Sequence, residues 1–209
     1  MKLIVAKPSP YARKARIALH EKDIPFEEIV DVPWNPDTVA TTHNPLGKIP
    51  ILILDDGRAY YDSRVIVEYT ETIRPEPRLL PEDPLQRVEA RQIEALADGI
   101  CDATVLTVLE ESRVEALRSK DWMARQRAKV ERGTEELARL LSGRRRFIGD
   151  AFTVADVAAG CALAYMDVRL PGFDWRGQYP NLVGFSAEME ARPSFARTRP
   201  EPQTIQTVA

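Results

Sequence analysis

The sequence predicts an α/β N-terminal domain followed by an all-helical C-terminal domain. Up to about residue 77, short apolar runs of strand length alternate with stretches of helical periodicity. Beyond a proline-rich stretch at 74–84, strand patterns no longer occur and apolar residues recur at helical spacing. We therefore expect a first domain over 1–77, a linker over 78–84 and a helical domain over 85–209.

The chain begins with a strand–helix–strand pattern. Residues 3–6 (LIVA) are predicted to form a buried strand, and residues 10–21 are mostly good helix formers with apolar residues at helical spacing. Ile24-Pro25 ends this helix, because proline disfavours the helical conformation in the residue before it. Residues 26–32 (FEEIVDV) are predicted to form a second strand, so the pattern indicates a βαβ unit.

A β-hairpin and a helix complete the predicted first domain. The runs ILIL (51–54) and AYY (59–61) flank the turn Asp55-Asp56-Gly57, which is typical of a hairpin. After Asp62 and Ser63 the pattern becomes helical, with apolar residues on one side. The first domain is therefore predicted as βαβ–ββα.

The second domain is predicted to be built from four helices, at 85–112, about 121–142, 155–168 and 181–191. The third of these is apolar almost all round, which indicates a buried helix. Thr153 and Asp156 stand at its start in the spacing of a capping box. We interpret this pair as stabilising the fold rather than as catalytic, since a buried helix start cannot rely on water.

Composition and charge exclude several classes of protein. Hydrophobic residues make up 44% of the 209 residues and charged residues 29%, a profile typical of soluble globular proteins. The formal net charge of −3 gives no electrostatic reason to expect a nucleic-acid partner. Since no apolar run reaches the length of a membrane span and no signal-peptide pattern is evident, we expect no membrane partner and a cytoplasmic location.

Cysteine and histidine are too sparse for a metal centre. Cys101 and Cys161 lie in apolar helical stretches, where a free cysteine behaves as a small core residue. His20 and His43 are isolated from each other and from the cysteines in the sequence. We therefore expect neither a metal site nor a disulfide framework.

Two short segments, each directly before a predicted helix or strand, could have either a structural or a ligand-binding role. Asp62-Ser63 stands before a helix, where it could act as a cap, or could bind the ammonium and carboxylate of an α-amino acid. In NPLGKIPIL (44–52), Pro50 directly precedes an apolar strand. A cis Ile49–Pro50 bond would present the Ile49 backbone to an extended ligand, but such bonds are a small minority.

Ser9 follows the first strand and opens the first helix. Serine is a good N-cap and Pro10 a good first helical residue, so a purely structural account of Ser9-Pro10 is complete by itself.

Taken together, four motifs resemble the glutathione S-transferase family. They are SPYARKARIAL after the first strand, NPLGKIPIL, the YYDS strand-to-helix junction and the FTVAD helix start, in the family's order along nearly the whole chain. The resemblance implies a thioredoxin-like N-terminal domain, a helical C-terminal domain, a homodimer, and glutathione as co-substrate.

The resemblance also implies a glutathione site. It implies that Pro50 is cis, that the Ile49 backbone pairs with the cysteinyl part of glutathione, and that Lys48 is a partner for the glycine carboxylate. Asp62 and Ser63 would hold the γ-glutamyl ammonium and carboxylate. An acidic residue of the neighbouring subunit, which could be Asp98 or Asp102, would also reach the γ-glutamyl group.

In the family, the residue after the first strand faces the glutathione sulfur, which makes Ser9 the candidate catalytic residue. Serine stands where thiol-transferring relatives carry cysteine, and it can donate a hydrogen bond to a thiolate but cannot form a mixed disulfide. Tyr11 is the rival hydroxyl, although its place in the first helical turn favours a role as a pocket wall. Tyr11, Trp34, Tyr165 and Arg169 are candidates for the electrophile site.

The implied activity is conjugation of the glutathione thiolate to small hydrophobic electrophiles, and hence detoxification. The alternatives are a GST-like binding or regulatory protein with little turnover, a glutathione-dependent isomerase or dehalogenase, and a thiol reductase. The missing cysteine at position 9 disfavours the reductase. The sequence identifies neither the physiological electrophile nor whether the tail from about Arg197 is ordered.

Overall fold

The computed structural model describes residues 1–203, which group by their internal contacts into two compact units. The first unit comprises Met1–Leu79 and the C-terminal residues from Arg192, and the second comprises Leu80–Ala191. The sequence analysis had grouped the C-terminal residues with the helical domain. The sequence analysis left open whether the tail from about Arg197 is ordered, and the part of that tail beyond residue 203 lies outside the described residues.

The first unit contains a four-stranded sheet with the strand order β2-β1-β3-β4. Its elements in chain order are β1 (Lys2–Val5), α1 (Pro10–Glu21), β2 (Glu27–Val30), α2 (Ala40–His43), β3 (Ile51–Ile53), β4 (Ala59–Tyr60) and α3 (Ser63–Ile73). The β1–β2 pair is parallel, and the β1–β3 and β3–β4 pairs are antiparallel. This architecture confirms the predicted βαβ–ββα order.

Strand β1 is buried on both faces, which explains why it reads as an unbroken apolar run. Leu3 and Val5 belong to a core cluster that includes residues of α1 and α3. Ile4 points to the opposite face, where it packs with Ala40 of α2 and with Ile51. The short helix α2, which the sequence analysis did not predict, therefore covers the second face of the sheet.

A buried lysine ties the end of α1 to the segment that follows α3. The Lys22 ammonium is fully buried and donates hydrogen bonds to three backbone carbonyls, those of Arg74 at 2.7 Å, Pro75 at 3.2 Å and Pro77 at 2.8 Å. It also pairs with the Glu71 carboxylate at 2.8 Å. Because a buried cation is tolerated only with such partners, Lys22 fixes the course of the chain leaving the first unit.

The second unit consists of α4 (Pro84–Glu111), a 3-10 turn (Glu115–Leu117), α5 (Lys120–Leu141), α6 (Val154–Arg169), α7 (Trp175–Gln178) and α8 (Pro180–Ala191). The four predicted helices are confirmed, and the two shortest elements were not predicted. A Cβ atom on Gly133 of α5 would lie 2.6 Å from the Ile100 side chain of α4, so the two helices approach closely there.

Helix α6 begins with the predicted capping box, in which the side chain of its third residue, Asp156, bonds to Thr153 before the helix. The Asp156 carboxylate accepts hydrogen bonds from the Thr153 backbone N–H at 2.8 Å and the Thr153 hydroxyl at 3.2 Å. It also accepts one from the Phe147 N–H at 3.2 Å. Burial raises the pKa of Asp156 against the opposing effect of these bonds. The pair therefore has a structural role, as predicted.

A short C-terminal helix, α9 (Pro193–Ala196), belongs to the first unit and was also not predicted. Within residues 1–203, no helix combines the length and hydropathy needed to cross a membrane. No group of three or more His, Cys, Asp or Glu side chains in the same residues is placed to hold a metal ion.

We expect Lys22→Met to lower the free energy of unfolding by about 3–5 kcal/mol, because it leaves the partly buried Glu71 carboxylate and three backbone carbonyls without their cation. Urea unfolding followed by circular dichroism measures this loss. Lys120→Met, at the exposed first position of α5, is the control and should change stability by less than about 0.5 kcal/mol. Equal stability of the two variants would contradict the proposed role of Lys22.

Candidate functional site

Three segments meet at one end of the sheet because of its strand directions. In the antiparallel β1–β3 pair Ile4 lies opposite Ile51, so the end of β1 adjoins the residue before β3, Pro50. In the β3–β4 pair Leu52 lies opposite Tyr60, so the residues after β4 lie at that same end. The topology thus brings together the chain after β1, the chain before β3 and the chain after β4.

Ser9 forms the N-cap of α1 at this end of the sheet. Its hydroxyl oxygen accepts a hydrogen bond from the Ala12 N–H at 3.2 Å, and its own N–H donates to the Ala6 carbonyl at 3.0 Å. A serine hydroxyl has two acceptor lone pairs and one proton to donate. The cap uses one lone pair, so the same hydroxyl can donate its proton to a ligand while it caps the helix.

The peptide bond between Ile49 and Pro50 is cis, as the resemblance to the family implied. Pro50 is buried, and the Ile49 side chain packs against the apolar clusters on both faces of the sheet. Asn44 shapes the preceding turn, since its side chain accepts from the Leu46 N–H at 3.0 Å and donates to the Lys48 carbonyl at 2.8 Å. The Lys48 residue itself is exposed.

Asp62 is the N-cap of α3, and Ser63 is the first residue of that helix. One Asp62 oxygen accepts from the Arg64 N–H at 2.9 Å, and the residue is exposed. Ser63 is buried, with 2% of its surface accessible, and the Tyr61–Asp62 peptide bond is cis. Asp62 therefore caps α3, and its exposed carboxylate lies directly beside the N-terminus of that helix.

Asp31 organises the loop after β2, and the sequence analysis missed it. Its carboxylate accepts hydrogen bonds from the Val32 N–H at 2.8 Å, the Thr38 hydroxyl at 2.6 Å and the Ala40 N–H at 3.1 Å. These contacts close the loop that carries Trp34, whose side chain remains 43% exposed. An aspartate directly after a strand and before a proline-rich loop was the available signal.

The four electrophile candidates divide between the units. Tyr11 and Trp34 belong to the first unit, and Tyr165 and Arg169 belong to α6 of the second. Burial raises the pKa of Tyr165, and the Arg169 guanidinium lies 5.9 Å from its ring centroid. Tyr165 itself is buried, with 3% of its surface accessible.

Arg169 lines a cavity of about 310 Å³ within the second unit. Apolar and polar side chains form its walls together, among them Thr107, Val130, Leu170 and Phe173. In helix α4 of the same unit, Asp98 is buried and Asp102 is exposed.

The fold and this end of the sheet define a class of protein in which a thioredoxin-like α/β unit, with a cis-proline before its third strand, is joined to an all-helical unit. Comparison with known families agrees. Residues 8–73 match the model "Glutathione S-transferase, N-terminal domain", and residues 120–188 match "Glutathione S-transferase, C-terminal domain".

The chain belongs to the glutathione S-transferase family. It is 40% identical to the uncharacterized GST-like protein YibF of Escherichia coli, over 96% of this chain and 98% of that one. A crystal structure of a glutathione S-transferase from Methylobacterium radiotolerans, in complex with glutathione sulfonate, is 51% identical. It matches with a TM-score of 0.97 over 100% of this chain and 98% of the other.

A second glutathione S-transferase structure, from Methylobacillus flagellatus with glutathione bound, is 42% identical with a TM-score of 0.93. The match covers 96% of this chain and 99% of that one. These relatives establish the family and the fold of this chain.

Proposed function

We propose that this protein is a glutathione transferase, which binds glutathione, stabilises its thiolate through Ser9 and conjugates it to small hydrophobic electrophiles. The observation that carries the proposal is the placement of the Ser9 hydroxyl at a helix N-terminus, at the same end of the sheet as the cis Pro50 and Asp62-Ser63. The bound glutathione and glutathione sulfonate in the two similar structures support it.

The energetics of Ser9 are sufficient for this role. A free thiol has a pKa of about 8.5, so only a few per cent is ionised at neutral pH. Lowering that pKa by about two units requires roughly 2.7 kcal/mol of preferential thiolate stabilisation. A hydrogen bond to a charged group supplies about 1.5–3 kcal/mol, and a helix N-terminus about another 0.3–1 kcal/mol. No general base is then needed.

The rest of the tripeptide would lie along the same end of the sheet. The Ile49 backbone beside the cis Pro50 is proposed to pair with the cysteinyl part, and Asp62 with Ser63 to hold the γ-glutamyl ammonium and carboxylate. Lys48 is exposed and therefore able to meet the glycine carboxylate. In the proposed homodimer, Asp98 or Asp102 of the partner subunit also reaches the γ-glutamyl group.

We propose that Tyr11 and Trp34 of the first unit contact the electrophile. Trp34 offers an exposed aromatic surface. This surface suits a small hydrophobic molecule, since aromatic side chains contribute large apolar contact areas. Tyr165 and Arg169 of the second unit stay predictions from the resemblance, and Tyr165 is buried.

Cysteine chemistry does not support the alternative of a thiol reductase. Both cysteines of the chain, Cys101 and Cys161, are buried in helices of the second unit, and position 9 carries a hydroxyl. Turnover of a general aromatic halide with glutathione distinguishes the transferase from a non-catalytic binding protein. Inactivity across several classes of electrophile, with glutathione still bound, would contradict the transferase proposal.

We expect Ser9→Ala to raise the pKa of the bound glutathione thiol by about one to two units, because the thiolate loses its hydrogen-bond donor. From a starting thiol pKa of about 6.5, kcat/KM at pH 7 should fall about three- to 25-fold, and activity should recover as the pH rises through the new pKa. The measurement is the pH profile of kcat/KM, together with the ultraviolet absorbance of the thiolate.

Ser119→Ala is the matched control for Ser9→Ala. Ser119 caps α5 through the Trp122 N–H at 3.3 Å, so its loss has a similar structural cost of about 1 kcal/mol. It leaves Ser9 unchanged. If both variants keep the wild-type pH profile, Ser9 has no part in the ionisation of the thiol.

We expect Asp62→Asn to raise the dissociation constant of glutathione about tenfold or more, because a charge-assisted bond to the γ-glutamyl ammonium is lost. The asparagine oxygen can still cap α3. Calorimetric titration measures the effect, and Asp83→Asn is the control, since Asp83 caps α4 in the same way through the Gln86 N–H at 2.9 Å. Unchanged affinity in Asp62→Asn would remove Asp62 from the site.

A further inference from the structure

The C-terminal segment, residues 192–203, packs along α1 in the first unit. Arg192 pairs with the Glu21 carboxylate at 2.7 Å, near the end of α1. One turn nearer the start of α1, the Arg16 guanidinium donates to the Thr198 carbonyl at 3.3 Å. The segment thus runs from the end of α1 back toward its beginning, where Ser9 lies.

Gln203, within this segment, bonds to both strands at the point where the β1–β2 hydrogen-bond ladder ends. Val5 and Val30 are opposite each other in the parallel β1–β2 pair, and the Asp31 N–H donates to the Val5 carbonyl at 2.8 Å. In regular parallel pairing the next bond would run from the Lys7 N–H to the Asp31 carbonyl.

The Gln203 side-chain amide stands between these two groups. The Lys7 N–H donates to Gln203 Oε1 at 3.1 Å, and Gln203 Nε2 donates to the Asp31 carbonyl at 3.1 Å. A primary amide offers the same donor and acceptor as a peptide group, so it satisfies both backbone groups where the strands diverge. The two strands separate at this point without leaving a half-buried N–H or C=O unpaired.

We propose that Gln203 is a positioning residue for Ser9, an inference that rests on the proposed thiolate-stabilising role of Ser9. The connection from Lys7 to Ser9 contains one residue, Pro8, whose ring fixes its backbone φ. Holding the Lys7 N–H therefore restricts where the Ser9 hydroxyl can lie. The Lys7 ammonium is held as well, by the Glu28 carboxylate at 2.8 Å.

The same amide restrains a second wall of the site. Asp31 accepts from Gln203 through its backbone carbonyl, while its carboxylate holds the Thr38 hydroxyl and the Ala40 N–H. Gln203 thus joins the Ser9 connection to the loop that carries Trp34. Gln203, which is 194 positions after Ser9 in the chain, therefore belongs to the framework of the proposed site.

The test compares Gln203→Ala and Gln203→Glu with Glu201→Ala, an exposed neighbour that leaves Gln203 intact. In Gln203→Ala the pKa of the bound glutathione thiol, measured by thiolate absorbance, should rise by roughly half a unit to one unit. From a starting pKa of about 6.5, this rise lowers the thiolate fraction at pH 7 about 1.5- to threefold. Gln203→Glu retains the acceptor for Lys7 but has no donor for the Asp31 carbonyl, so a smaller rise is expected. Glu201→Ala should match the wild type.

Amide hydrogen exchange at Lys7, measured by NMR, provides a readout that does not depend on glutathione. Exchange should accelerate about tenfold or more in Gln203→Ala, with little change in the unfolding temperature. A wild-type thiol pKa and wild-type Lys7 exchange in both Gln203 variants would overturn this inference alone. If the wild-type protein itself does not lower the thiol pKa of bound glutathione, both the proposed function and the inference about Gln203 are wrong.

Discussion

Burial of β1 on both faces is the constraint on which the rest of the first unit depends. Leu3 and Val5 fill one core cluster and Ile4 the other, so a slip of one residue would move these side chains to the wrong faces. A fixed register fixes the point at which the chain leaves the sheet. Ser9 and Pro50 lie at the same end of the sheet because β1 and β3 cannot slide.

The Ser9 hydroxyl can combine its structural role as a helix cap with the chemical role proposed for it. A helix cap uses the oxygen as an acceptor, whereas stabilising a thiolate uses the proton, so neither role displaces the other. Asp62 repeats this arrangement with a carboxylate, whose one oxygen caps α3. Capping also fixes the orientation of each side chain, which lowers the cost of presenting it to a ligand.

Local patterns were sufficient to predict the strands, the long helices and the helix caps at Ser9 and Asp62, because each depends on residues close in the sequence. The cis bond at Pro50 and the site roles of these junctions were predicted only from the resemblance to the family. The four-residue helices were missed, since one turn has too few positions to show periodicity. The contacts of the C-terminal segment were missed for a different reason. Arg13 and Arg16 read as surface charges of α1, yet they are 1% and 4% exposed.

Those buried arginines make the C-terminal segment an integral part of the first unit. A guanidinium removed from water requires acceptors, and the carbonyls of Phe195, Arg197 and Thr198 supply them. Peeling the segment away would leave these cations without those partners, so its attachment is favoured whenever α1 is folded. The cations of α1 thereby hold in place the segment that carries Gln203. With the role proposed for Gln203, the geometry around Ser9 depends on residues distant in the sequence, through contacts that no local pattern encodes.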